Sequence, residues 1–190
     1  VPWPANVTVF GPELSSHSLR RGEDVLALVH GISHSVPNES RNLARLFRRV
    51  PTDPPGQPLF QIGLLHCALA GKSGAHSLYA PCSLGDLADA NLDYWALGHV
   101  HDRRVMGQHS GSQGWGEHPF AAYSGSLQGM HINEDGPHGC LVVRVDASGR
   151  AEPVFTPLAP VQWENLAVRL DREEAIEDFA ALAALLRERL

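Results

Sequence analysis

Tyr94-Trp95-Ala96-Leu97-Gly98-His99-Val100-His101 decides the fold: an apolar run gives way to a glycine and then to two histidines one residue apart. Four apolar residues without polar alternation read as a strand buried on both faces, as in the middle of a parallel sheet. The ends of such strands are where an open α/β sheet collects its ligands. Gly98 would let the backbone turn tightly just before His99. In an extended chain His99 and His101 would project to one side. A turn after Gly98 would aim them at two different ions.

Working outward, Phe60–His66 (FQIGLLH) is a second buried strand with a histidine at its C-terminal end, and Asp24–His30 (DVLALVH) is a third, closed by Gly31. In Glu39–Val50, Leu43, Leu46, Phe47 and Val50 fall on one helical face with arginines opposite. Ser83 caps a helix running to about Ala90. Val7–Phe10, Phe120–Tyr123, Cys140–Val145, Ala151–Pro157 and Trp163–Leu170 are strand candidates. Thr52–Pro58, Gly71–Pro81 and Gln108–Pro119 read as loops. Asp171 caps a last helix to Leu190, whose stripe of Ile176, Phe179, Leu182, Leu185 and Leu186 needs a surface to pack on. Strand–helix–strand–helix–strand followed by a run of strands predicts a mixed α/β core that continues into a more antiparallel sheet.

The chain has 190 residues, 43% hydrophobic and 19% charged, the balance of an ordinary soluble globular protein. No apolar run is long enough to span a bilayer, and no signal peptide opens the chain. It begins at Val1 rather than methionine, which suggests processing or a piece of a longer chain. Cys67, Cys82 and Cys140 are too few for a disulfide framework and fit a reducing cytoplasm. The net charge of −6 lacks the basic surface of most nucleic-acid binders, so any DNA contact is local or supplied by a partner. The 11 histidines are the compositional anomaly.

Neutral imidazole suits manganese, zinc or iron. His66, His99 and His101 alone do not fill two metal shells, which also need oxygen ligands, usually carboxylates. Isolated loop histidines are the plainer alternative. Tyr94 and Trp95 read as core rather than base-stacking aromatics, and Cys67 as small buried packing rather than a ligand. Arg103 and Arg104 either touch phosphate or are solvated loop charges. His131 either serves as an acid or lies on the surface. Arg20, Arg21, Arg48 and Arg49 read as solvated faces.

Gly63-Leu64-Leu65-His66 followed by Tyr94–His101 resembles the last two metal motifs of the calcineurin-like metallophosphoesterases. Tyr123–Glu134 and Gly136-Pro137-His138-Gly139-Cys140 resemble the SbcD-like (YhaO-type) DNA repair exonuclease branch, as do His30-Gly31-Ile32-Ser33 and Arg41-Asn42-Leu43-Ala44. The resemblance implies an α/β calcineurin-like four-layer sandwich, two mixed sheets flanked by helices, with its N-terminal strands missing. Residues 1–170 would be the C-terminal part of the phosphoesterase domain, and 171–190 a helix leading toward a missing C-terminal region. It implies that His66 and His99 bind one metal and His101 the other. The ions would be two Mn2+, with Zn2+, Fe2+ or Mg2+ as alternatives.

The family's earlier Asp-x-His and Gly-Asn-His motifs are absent, and Gly85-Asp86-Leu87-Ala88-Asp89 matches a third only by letters, in the wrong order. The implied activity is manganese-dependent hydrolysis of DNA in repair by the complete cytoplasmic protein, with this stretch alone inactive. The implied partners are DNA and an SbcC-type or Rad50-type ATPase, with a homodimer left open and no membrane. The rivals are a phosphodiesterase or phosphatase for small molecules and a non-catalytic remnant that binds a partner.

Overall fold

The computed structural model describes residues 2–51, 59–69, 79–107, 120–165, 167 and 178–189. Its centre is a six-stranded sheet built from β1 (Ser15–Arg21), β2 (Asp24–Ile32), β3 (Phe60–His66), β4 (Tyr94–Gly98), β5 (Arg104–Met106) and β6 (Ala121–Tyr123), in the order β1-β2-β3-β4-β6-β5. The four inner strands run parallel, and β1 and β5 close the two edges antiparallel. The three apolar runs chosen for their lack of alternation are the three adjacent strands β2, β3 and β4. A second, two-stranded antiparallel sheet pairs β7 (Gly139–Val145) with β8 (Ala151–Pro157).

The period of two divides the central strands between two cores. Trp95, Leu97, Leu65, Ala121 and Tyr123 face the helical side, where they meet Leu43, Phe47 and Leu87. Tyr94, Ala96, Ala122, Phe60 and Ile62 face the other way, onto Leu141, Val143 and Ala151 of the second sheet. The layers are therefore helical turns, mixed sheet and hairpin sheet, a mixed α/β arrangement consistent with part of a metallophosphoesterase fold. Trp95 is wholly buried, its ring 4.8 Å from that of Phe47 and its indole N–H donated to the Leu87 carbonyl at 3.1 Å. Gly63 makes room for it: a Cβ there would come within 2.4 Å of the indole. Helix α1 (Leu84–Asp89) starts on a capping box in which Ser83 and Asp86 satisfy each other's backbone N–H groups. Asp86 also binds Arg45 at 2.8 Å, so the Gly85–Asp89 letters mark a helix start.

Several expected elements differ. Glu39–Val50 is not an amphipathic helix but a single 3₁₀ turn, Leu43–Leu46. Leu43 and Phe47 are buried as expected, whereas Leu46 and Val50 are exposed. Tertiary bonds outcompete the helix: Val50 exchanges two backbone bonds with the Gln61 amide, and Arg49 pairs with Asp93 at 2.9 Å. Arg49 is thus not merely a solvated charge. Val7–Phe10 forms no strand; its Phe10 ring instead lies against Gly31, and the Phe10 carbonyl accepts from Ser33. Of Trp163–Leu170, Trp163 makes one bridge to Asp135, and 166 and 168–170 lie outside the described residues. Strands β1 and β5 lie outside the expected elements: β1 is a polar edge strand and β5 is only three residues long, so neither carries an apolar run to mark it.

The loops at 52–58, 71–78 and 108–119, the 170/171 boundary and the Asp171 cap fall outside the described residues. Helix α2 is Phe179–Arg189, with Asp178 accepting from the Ala181 N–H. Among the described residues, no helix is long and apolar enough to cross a membrane.

Candidate metal centre

Parallel pairing brings the strand-end histidines together. His66 of β3 lies in register with Gly98 of β4, and the Cys67 N–H donates to the Gly98 carbonyl at 3.1 Å. The next residue, His99, puts its ring 5.2 Å from that of His66, at 72°. Gly98 does not make the turn. It remains in β4, and the positive φ, 110°, belongs to His99 itself. Such a φ is costly for a side chain bearing a Cβ, and strain of this kind gathers at functional sites. What Gly98 provides is space, because a Cβ there would stand 3.1 Å from His66 Nδ1.

A third ring joins them. His34, two residues past the end of β2, packs edge-on to His66 with centroids 5.3 Å apart and donates Nε2–H to the His66 carbonyl at 2.7 Å. The Tyr79 ring lies tilted against that of His99, centroids 5.0 Å apart at 37°. His66 is exposed at the rim, yet its ring lies between two others. Loss of water, followed by the charges of His99, His34 and His101, lowers its pKa below the usual histidine value. The neutral imidazole so favoured is the form that binds a metal.

His101 goes elsewhere. Beyond the turn at His99 its Nδ1 meets Glu134 Oε1 at 2.6 Å, and the same carboxylate accepts the Met130 N–H at 2.7 Å. Sequence reasoning gave neither His34 nor Glu134 a role. The signal for His34 was there in its place just past a buried strand, like His66. Glu134 carried none, since its partner is 33 residues away.

The remaining candidates are held by other contacts. The Arg103 guanidinium lies 4.3 Å over the Phe155 ring of β8, and Arg104 pairs with Asp102 at 3.3 Å. His131 is exposed, and its Nδ1 accepts from the Asn133 N–H within its own turn. Cys67 is fully buried, and a hydrogen bond with Cys82 and burial push its thiol up, so it is packing rather than a ligand. Tyr94 and Trp95 are core.

The rim histidines fit a metal in kind but not in number. Among the described residues, no three His, Cys, Asp or Glu side chains are grouped closely enough to hold an ion. His66, His99 and His101 would hold metal only with further ligands, carboxylates above all.

No family model matches the chain. Over 171 residues, 88% of its length, the chain is 36% identical to the uncharacterized metallophosphoesterase YhaO of Bacillus subtilis strain 168. It spans 38% of the length of that relative.

Proposed function

This similarity supports the metallophosphoesterase superfamily for the chain, and from that premise we propose that the complete protein hydrolyses phosphodiesters with divalent metal bound at the C-terminal ends of β3 and β4. The observation that carries the reading is the His66–His99 ring pair at 5.2 Å on that rim. Bound divalent ions would supply Lewis acidity toward phosphoryl oxygens. The chain's own residues do the rest: burial and the neighbouring imidazoles favour the neutral form of His66, His99 is held in a turn at positive φ, and His101 is tied to Glu134. With imidazoles and, among the described residues, no carboxylates grouped with them to complete a site, the 190-residue chain alone would have little activity.

The finer proposal is a manganese-dependent DNA nuclease of repair, cytoplasmic and paired with an SbcC-type ATPase, supported by the Tyr123–Glu134 motif. A second reading, hydrolysis of small phosphodiesters, is favoured by the net charge of −6 and by the engagement of Arg103 and Arg104. The test supplies the missing carboxylate ligands in a longer protein and measures metal stoichiometry together with cleavage of linear duplex DNA, single-stranded DNA and a small aryl phosphodiester. Two metals and DNA cleavage support the nuclease. Two metals with only the small ester cleaved select the second reading. No metal leaves a non-catalytic remnant.

A further inference from the structure

We propose that Glu134 is the positioning residue of His101, holding its imidazole as the Nδ1–H tautomer so that Nε2 is the nitrogen presented to a cation. This rests on the reading of His101 as a metal ligand, but its geometry stands by itself. A carboxylate only accepts hydrogen bonds, so the 2.6 Å contact with Glu134 Oε1 requires the proton on Nδ1. The lone pair of the neutral ring is then on Nε2. Metal-binding histidines are commonly oriented in this way, through the nitrogen that does not bind the ion.

Glu134 is itself fixed on every side. Oε2 takes the Met130 N–H at 2.7 Å, and its own N–H donates to the His131 carbonyl at 2.8 Å. Its backbone carbonyl accepts Nε2–H of the buried His138 at 3.1 Å. With that proton on Nε2, His138 Nδ1 accepts the Ser126 hydroxyl at 2.8 Å. The Ser126 N–H donates to the backbone carbonyl of His101 at 2.9 Å. The bonds thus close a ring from His101 through Glu134, His138 and Ser126 back to His101, fixing its imidazole and its main chain together. Gly125, at φ 81°, completes the clamp: a Cβ there would come within 2.6 Å of the same carbonyl. The side chain of Glu134 is 18% exposed and that of His101 64%, so the support is sheltered while the supported ring faces solvent.

The test is a two-bond 1H–15N correlation of histidine rings, recorded above the imidazole titration range on the 15N-labelled 190-residue chain and then, during a Mn2+ titration, on a longer protein that supplies the further ligands. The wild type should show His101 protonated on Nδ1 and bare on Nε2. Glu134→Ala should release it to a mixture with the Nε2–H form. Glu134→Gln, which keeps the shape should alanine disturb the loop, should retain Nδ1–H. It should also raise the Mn2+ needed to broaden His101 by about 10- to 100-fold. An Nε2–H wild-type ring, or a tautomer unmoved in Glu134→Ala, overturns the positioning. Nδ1–H with no Mn2+ broadening at His66, His99 or His101 instead overturns the metal reading and, with it, what the positioning is for.

Discussion

His30 and His66 sit on neighbouring strands of one sheet and have opposite surroundings. His30, inside β2, is 3% exposed, with Nδ1 on the Ser16 hydroxyl at 2.7 Å and Nε2 on Gln61 Oε1 at 3.0 Å. The Gln61 amide is fixed by Val50, whose N–H donates to Oε1 and whose carbonyl takes Nε2–H. His30 Nε2 is therefore the donor and both of its nitrogens are spent on the fold. His66, at the end of β3, meets other imidazoles instead. The same residue type is cement in the sheet's interior and, at its rim, a side chain left to other imidazoles. What differs is whether the neighbouring strands still supply hydrogen-bond partners.

The difference predicts opposite consequences of substitution. In a protein with the full ligand set, His66→Ala or His99→Ala should lower metal-dependent phosphodiester hydrolysis by more than about 100-fold, since even supporting partners of ligands contribute 10- to 100-fold. Their denaturation midpoints should barely move, because rim residues carry little packing. His30→Ala should do the reverse. It leaves Ser16 and Gln61 short of partners and should cost about 2–3 kcal/mol in urea unfolding. Equal stability losses at His30 and His66 would erase the comparison.

A smaller effect sharpens it at His99. Its φ of 110° is strained for a residue with a Cβ and easy for glycine. His99→Gly should be more stable than His99→Ala by about 1 kcal/mol, although both lose the imidazole. Equal stabilities would mean that the turn relaxes and holds no strain.

The smallest effect concerns a charge on the core side of the divide. Glu39 is 2% exposed and paired with Arg41 at 2.6 Å, which lowers its carboxyl from the ordinary 4.5 to about 2. A carboxyl depressed in the fold stabilises above its unfolded value, and that stability is lost as pH falls toward the folded one. The wild type should therefore lose this contribution progressively between pH 4.5 and about 2. In Arg41→Ala that contribution should be absent, the variant being less stable than the wild type above pH 4.5 and the gap closing toward pH 2, as acid unfolding followed by tryptophan fluorescence would show. Superimposable acid transitions would remove the pair from the account.

Much of this was legible in the sequence, for a physical reason. Strands β3 and β4 carry core residues on both faces and so read as continuous apolar runs, with His66 and His99 at their ends on the rim, whereas His30, ending a like run, is buried because β2 continues to Ile32. The polar edge strand β1 and the three-residue β5 had no pattern to read. The helical spacing of Leu43, Leu46, Phe47 and Val50 misled because Gln61 and Asp93, distant in sequence, claim that segment's hydrogen bonds. Glu134 was hidden likewise, since its role exists only once a loop folds back on His101.

The most direct test of the rim as an ion-binding edge is a Mn2+ titration of a 15N-histidine-labelled longer protein with the full ligand set, reading paramagnetic broadening ring by ring. The rings of His66, His99 and His101 should broaden first, with His34 close behind, while His30 and His138 remain sharp. Uniform broadening of all the histidines, or early broadening confined to surface histidines such as His17 and His131, would contradict it.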